Sequence, residues 1–365
     1  MPETPFIITV DTEGDNLWGK PQQISTRNAA YVPRFQALCE RFGFKPVYLV
    51  NYEMAMSDAF VDFGRDVIAR AAGEIGMHLH AWNSPPMEPL TGNDFFHQPF
   101  LIEYPDRIMR EKIHAMTRLL EDRFDRKMVS HRAGRWAFNG RYAAMLIDEG
   151  YLIDCSVTPG VDWRTTAGDP EGNGGSDYTS FPDSPYFFGP VDISVASAGP
   201  MLEVPMTVFP SKLFQHSAWV YRVPGLARAA RRLSPPRRWL CPVALLEKHN
   251  HDAMLQLARR ARDESPTYLE FMLHSSDLMP GGSPSFGSEA DINRLYDRLE
   301  VLFEEISIWC RGMTLAEFRD HLMKSPEKTR SIGLAARQPN RAARTMGMRN
   351  STTGPAPEEK GSAPG

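Results

Sequence analysis

The sequence has no long hydrophobic run. Nowhere do the roughly 18–20 consecutive apolar residues that a bilayer-crossing helix needs occur together. It also has no basic N-terminal region leading into an apolar stretch and a small-residue cleavage site. Instead, Pro5 to Val10 reads at once as a buried strand. Cysteine is scarce: Cys39, Cys155, Cys241 and Cys310 are scattered, without the paired spacing of a zinc finger or a disulfide framework. Reduced thiols are expected and, without an export signal, a cytoplasmic location, at most peripheral to the inner membrane. Positive charge is not in excess either. Forty-one Lys and Arg residues face 45 Asp and Glu, so the net charge is -4. That balance gives no general attraction to nucleic acid, and none is expected as a partner.

One stretch departs from this balance. Arg222 to Arg262 contains Arg228, Arg231, Arg232, Arg237 and Arg238, punctuated by Leu226, Leu233, Trp239 and Leu240. It reads either as a solvated helix face or as a cap. A cap of this kind would approach an anionic membrane surface or a lipid-linked glycan diphosphate.

What the sequence does have is alternation. Short apolar runs exchange with helical patterns through the first half, the signature of βα repeats around a parallel sheet. Strands are predicted at 6–10, 47–51, 75–80, 128–131, 152–155, 201–206 and 268–274. Helices are predicted at 31–42, from Ser57 to about Gly73, and at 107–124, 140–149, 240–262 and 289–308, with a last short one from Thr314. Regularity breaks from about Thr165 to Pro200, where Gly, Pro, Asp and Ser dominate, which reads as a long irregular insertion over one face. A chain with 42% hydrophobic residues can bury a core of the required size. One catalytic domain is expected over 1–324. The Arg-, Ser-, Gly- and Pro-rich residues 325–365 are expected to be a disordered tail.

In parallel α/β architectures, functional side chains gather where strands end. Five segments place chemistry there. Asp11 and Glu13 follow the first strand, and residues two apart on extended chain share a face, so the pair converges as a base and a metal ligand. His78 and His80 repeat that spacing at another strand end and offer imidazole nitrogens to a cation, with Trp82 beside them. Arg132 follows a fourth strand, and a guanidinium beside a carboxylate holds it ionised; Trp136 next to it suits the wall of a sugar pocket. Asp154 leads toward Asp162 and Trp163, placed to pair with a histidine or arginine. His274 ends an apolar strand, where an imidazole suits general-acid work. Each has an ordinary structural alternative: a solvated turn, a satisfied core histidine, a surface ion pair.

Taken in order, the five segments resemble the motifs of the polysaccharide deacetylase superfamily, the NodB-homology group or carbohydrate esterase family four. The likeness covers roughly residues 5 to 320 and looks strongest to the branch associated with envelope polysaccharide biosynthesis. Thr9 to Asp15 stands where the family's first motif does, and Gly73 to His78 matches the second. Arg132 to Trp136 resembles the third, Asp154 to Trp163 the fourth, and Leu273 with His274 the fifth. Two departures stand out. Thr12 replaces the usual second acid of the first motif, so Glu13 or Asp15 must supply the metal carboxylate. Trp82 stands where the second metal histidine usually falls, and His80 is its substitute.

The resemblance implies a (β/α)7–8 barrel, closed or distorted, that hydrolyses the N-acetyl group of an amino sugar in a polysaccharide or lipid-linked precursor. It implies Asp11 as base, His274 as acid, and Arg132 and Asp154 tuning them. Glu13, His78 and His80 would hold a divalent metal, with Zn2+ the first choice, and Trp82, Trp136 and Trp163 would contact the glycan. Two alternatives stay open: a hydrolase of a non-carbohydrate amide or imide on the same fold, and a non-catalytic carbohydrate-binding member.

Overall fold

The first strand alternates two destinations for its side chains. In the computed structural model, which describes residues 4–210, 237–240, 251–264 and 266–324, β1 spans Thr4–Thr12. Its Phe6, Ile8 and Val10 pack outward into the large core shared with the helices, while Ile7 joins a separate inner cluster. That inner cluster gathers Val47, Ile153, Leu202 and Tyr268 from opposite parts of the sheet. Only a curled sheet brings such residues together.

The strands are β2 (Pro46–Val50), β3 (Glu74–Leu79), β4 (Ser130–Ala133), β5 (Ile153–Asp154), β6 (Tyr186–Phe188), β7 (Met201–Glu203), β8 (Val208–Pro210), β9 (Arg237–Trp239), β10 (Leu269–His274) and β11 (Cys310–Gly312). The main sheet runs β10-β1-β2-β3-β4-β5-β7-β6, with β11 also on β1. All its pairings are parallel except β6 with β7. Between β7 and β10 no regular ladder among the described residues closes the curl. There the Glu270 amide donates to Thr207 Oγ1 at 2.9 Å, the Tyr268 hydroxyl to the Pro205 carbonyl, and the Met272 amide to the Leu240 carbonyl at 3.1 Å. The architecture is a distorted, incomplete barrel.

Helices Val32–Arg41, Asp58–Ala69, Asp106–Phe124, Gly140–Asp148, His251–Glu264 and Glu289–Ser307 are the longer ones among the described residues. The helix Leu315–Met323 has a different place. Leu315, Phe318 and Leu322 enter the inner cluster, and the Ala316 amide donates to Glu74 at the start of β3. This helix plugs the end of the curl where the strands begin. Above the plug the interior turns polar, with Thr9, Arg132 and Glu270 fully buried. The site lies above these, at the strand ends.

Several expectations change. The fourth strand begins two residues later than its apolar pattern indicates, because the ladder pairs His78 with Arg132. Arg132 therefore lies within β4 and faces inward. Leu240 does not open a helix but bridges to Phe271 beside β10. The insertion at 165–200 is largely irregular, yet it carries β6. Cys39, Cys155 and Cys310 are buried. The expected disordered tail at 325–365 and most of the basic stretch from Arg222 lie outside the described residues, as does Cys241. Among the described residues, no helix is long and apolar enough to cross a membrane.

Phe318 is fully buried and packs its ring 5.5 Å from that of Tyr268. Phe318→Ala should therefore cost about 3–5 kcal/mol, the range for emptying a buried aromatic site. Urea unfolding followed by tryptophan fluorescence measures this.

Candidate metal centre

Five of the residues singled out in the sequence meet at the strand ends. Asp11 continues the inward series Ile7, Thr9, and Glu13 follows just beyond β1. The loop there is fixed from both sides. The Glu13 amide and carbonyl both bond the Ser275 hydroxyl at 3.1 Å, and the Asn28 side chain donates to the Glu13 carbonyl at 2.9 Å. Asp15 spends both carboxylate oxygens on this loop, accepting from Ser25, Arg27 and Asn28. It is a loop organiser, and Glu13 is the carboxylate that faces the imidazoles.

His78 and His80 share the inner face at the end of β3, as their spacing requires. Glu13 Oε2 lies 3.7 Å from His78 Nε2 and 3.5 Å from His80 Nε2. Donors held 2.0–2.2 Å from a tetrahedral cation lie about 3.4 Å apart, so these separations fit one ion. The tautomer fits too. His78 Nδ1 donates to the Arg132 carbonyl at 3.1 Å, leaving the Nε2 lone pair toward Glu13. Burial lowers the His78 pKa to about 4 and takes His80 well below its ordinary value, so both rings are neutral and able to ligate. Burial also pushes the Glu13 carboxyl up to about 8, against the opposing pull of His274 and with help from Asp11, Asp277 and Glu53. A buried carboxylate that its surroundings fail to stabilise is what a divalent cation would compensate. The three residues fit a metal.

His80 stacks on Trp82, with ring centroids 4.3 Å apart and planes 21° from parallel. On its other side stands Gly134, where a Cβ would meet His80 Cδ2 at 2.2 Å and the Leu79 carbonyl oxygen at 2.5 Å. His80 is thus gripped between an indole and a glycine backbone.

Asp11, Arg132 and His274 adjoin this triad. Arg132 donates to Asp11 Oδ1 at 2.7 Å, Glu270 Oε1 at 2.6 Å, Thr9 Oγ1 at 2.9 Å and the Cys155 carbonyl at 3.0 Å, and it is completely buried. Burial raises the Asp11 pKa, but the Arg132 charge, with those of His78 and His274, outweighs it and holds the carboxyl below its usual range. Asp11 Oδ2 lies 3.9 Å from His78 Nε2 and 4.0 Å from His274 Nε2. His274 is backed by Asp277, whose Oδ2 lies 3.5 Å from Nδ1 and accepts from the His274 amide at 3.1 Å. Burial opposes its charge, yet Asp277, Glu13 and Asp11 together raise its pKa to about 9. One open pocket exposes Asp11, Glu13, His78, His80 and His274, walled by Trp18, Trp82 and Trp136.

Two sequence candidates stand elsewhere. Ile153 and Cys155 face the inner cluster, so Asp154 between them points outward. Its partner is His131, at 2.6 Å from Nδ1, and His131 in turn lies 2.7 Å from the Tyr142 hydroxyl. Asp154 does pair with a histidine, but the structure does not bring it to His274; Asp277 stands there. Trp163 donates to Thr158 Oγ1 at 2.8 Å and is not among the pocket-lining residues. Sequence reasoning passed over Asp277, Glu270, Trp18 and Arg135. Glu270 had a signal: it shares the period-two face of Met272 and His274 inside an apolar strand. Asp277 had only its closeness to His274, and Trp18 had none.

No protein-family model and no curated protein matches the chain. The solved structures that resemble it include polysaccharide deacetylases and an allantoinase. A candidate polysaccharide deacetylase from Mycobacterium smegmatis aligns at a TM-score of 0.49 and 13% identity, over 89% of this chain and 92% of that one. The allantoinase Puue aligns at 0.47 and 14%, over 88% and 90%. A variant of the peptidoglycan deacetylase PdaC from Bacillus subtilis aligns at 0.41 and 8%, over 90% and 98%. Likeness at this level decides nothing about chemistry, which rests on the geometry above.

Arg132→Met tests the buried network. It leaves Asp11 and Glu270 without their shared cation, and stranding buried charge costs about 3–5 kcal/mol. Without the guanidinium both carboxyls would titrate higher in the folded state than in the unfolded chain. The variant would then hold protons that the unfolded chain releases, and its stability would fall as pH rises. Urea melts should show a larger deficit at pH 8 than at pH 5.

Proposed function

We propose that this protein is a metal-dependent hydrolase that removes the N-acetyl group from an amino sugar of a polysaccharide or lipid-linked glycan precursor. The observation that carries this reading is the meeting, in one pocket, of a Glu-His-His ligand set with an ionised Asp11 and a cationic His274, which face each other from neighbouring strands at 4.0 Å. An amide is a weak electrophile with a poor leaving group, so its hydrolysis needs both a base for water and an acid for the amine.

Glu13, His78 and His80 would hold the cation. Mixed nitrogen and oxygen ligation suits Zn2+ first, though the donor set admits other first-row divalent ions. When bound, such an ion supplies Lewis-acid polarisation of an acyl carbonyl and acidifies water. The remaining work falls to the chain's own groups. Asp11, kept ionised and oriented by Arg132, accepts the proton of the attacking water through Oδ2. His274 carries its proton on Nε2 toward the same space and gives it to the departing nitrogen, while Asp277 keeps the ring charged and aimed. Trp82 and Trp136 offer flat apolar walls for the faces of a sugar ring.

Purified protein should contain about one divalent metal per chain and release acetate from N-acetylhexosamine oligosaccharides. The double variant His78→Ala, His80→Ala should lose both, and full metal occupancy in it would sink the ligand assignment. Release of product only from non-carbohydrate amides would transfer the same chemistry to another substrate class. Asp277→Asn should lower kcat by about 10²-fold or more, as expected when an imidazole loses the carboxylate that orients it. Steady-state kinetics beside a thermal melt separates this from loss of fold.

A further inference from the structure

The two arginines nearest the site have opposite electrostatic situations. Arg132 is neutralised inside the barrel by Asp11 and Glu270. Arg135, three residues on, lines the open pocket beside Trp82 and Trp136, and no carboxylate of the described residues lies within 4.0 Å of it. Glu103 influences it only from farther away. Its partners are neutral: Nη1 donates to the Gln98 carbonyl and Nη2 to the Ala167 carbonyl at 2.5 Å, and its charge sits 4.2 Å above the Phe100 ring. A guanidinium has five N–H donors. Two are used here, which leaves three in a fork whose plane is already fixed.

The backbone is bent to put it there. Arg135 and Trp136 both adopt left-handed conformations, with φ of 55° and 63°. Non-glycine residues rarely adopt that region, and such strain persists where the surroundings impose it, commonly at ligand-binding positions. Arg135 and Trp136 are thereby carried together to the pocket wall, a cation next to an aromatic face.

We propose that Arg135 is a specificity-determining residue of this pocket, recognising a carboxylate or phosphate group on the substrate close to the acylated sugar. This rests on the hydrolase reading above and narrows it: the preferred substrate is an acidic glycan or a sugar phosphate ester, not a neutral N-acetylhexosamine chain. The fork geometry suits both anions, each of which presents paired oxygens to a guanidinium. The carbonyl contacts to Gln98 and Ala167 hold the fork still before the anion arrives, and Phe100 beneath it limits access of water to one side. The sugar face would lie against Trp136 or Trp82, with its charged substituent at the edge nearest Arg135.

The test compares three substrates with the metal-containing enzyme as purified. They are a neutral N-acetylglucosamine oligosaccharide, an oligosaccharide alternating N-acetylglucosamine with glucuronic acid, and UDP-N-acetylglucosamine. The wild type should prefer at least one acidic substrate over the neutral one in kcat/KM by about tenfold or more, the scale of one charge-assisted contact. Arg135→Gln should collapse that ratio through KM, and Arg135→Lys should restore part of it. Whichever acidic substrate shows the effect identifies the anion as carboxylate or phosphate. A wild type without acid preference, or a ratio unchanged in Arg135→Gln, overturns the inference. If no substrate releases acetate, the deacetylase reading fails on its own, and calorimetric titration with the glucuronate oligosaccharide and with UDP decides the anion site. Binding that weakens about tenfold or more in Arg135→Gln supports it, while equal or undetectable binding in the wild type overturns it.

Discussion

A single buried guanidinium organises the interior of this barrel. Arg132 has no contact with water, so its charge survives only because Asp11, Glu270, Thr9 and the Cys155 carbonyl absorb its donors. The same bonds tie three strands, β1, β4 and β10, and the residue that follows β5, across the curl rather than along it. Sheet ladders cannot do this, since they join only neighbours. The network also has a chemical product: one oxygen of Asp11 is anchored, and the other is left facing the imidazoles. Structure and electrostatics are therefore not separable at this residue, because the pair that holds the middle of the barrel also holds Asp11 ionised.

Around that pair, the site is built from complementary failures of solvation. Glu13 is buried without enough positive charge near it, and the two histidines are buried with their protons stripped. Each would be a liability by itself. Together they form a set of lone pairs that a cation satisfies at once. His274 is the opposite case, buried yet kept charged by surrounding carboxylates. One small volume thus holds two neutral imidazoles beside a charged one.

Much of this is readable in the sequence because period-two spacing is a strong geometric statement. Asp11 with Glu13, and His78 with His80, converge for that reason alone, and His274 follows from an apolar strand ending in an imidazole. The same rule, applied between Ile153 and Cys155, would have sent Asp154 to the outer face, where it meets His131. What spacing does not show is register. The shift that brings Arg132 within β4 depends on its pairing with His78, and the passage of Leu240 beside Phe271 depends on how the curl is closed. Those are relations between distant segments, and no local pattern carries them. Asp277 and Trp18 belong to single 3-10 turns in the connections, where side-chain direction follows from neighbours in space rather than from a repeating pattern in the chain.

The place of β1 has a consequence for how the protein comes into being. This strand lies between β2 and β10 and also pairs with β11, about 300 residues farther along the chain. A chain emerging from the ribosome carries Asp11, Glu13, His78 and His80 long before His274 exists, and the plugging helix is made later still. These groups must wait in a sheet with one raw edge until the distant segments arrive, a slow and aggregation-exposed kind of closure. Assembly of the centre thus waits for the segments that carry His274 and the plugging helix, and a product cut short before them would hold ligands without a pocket.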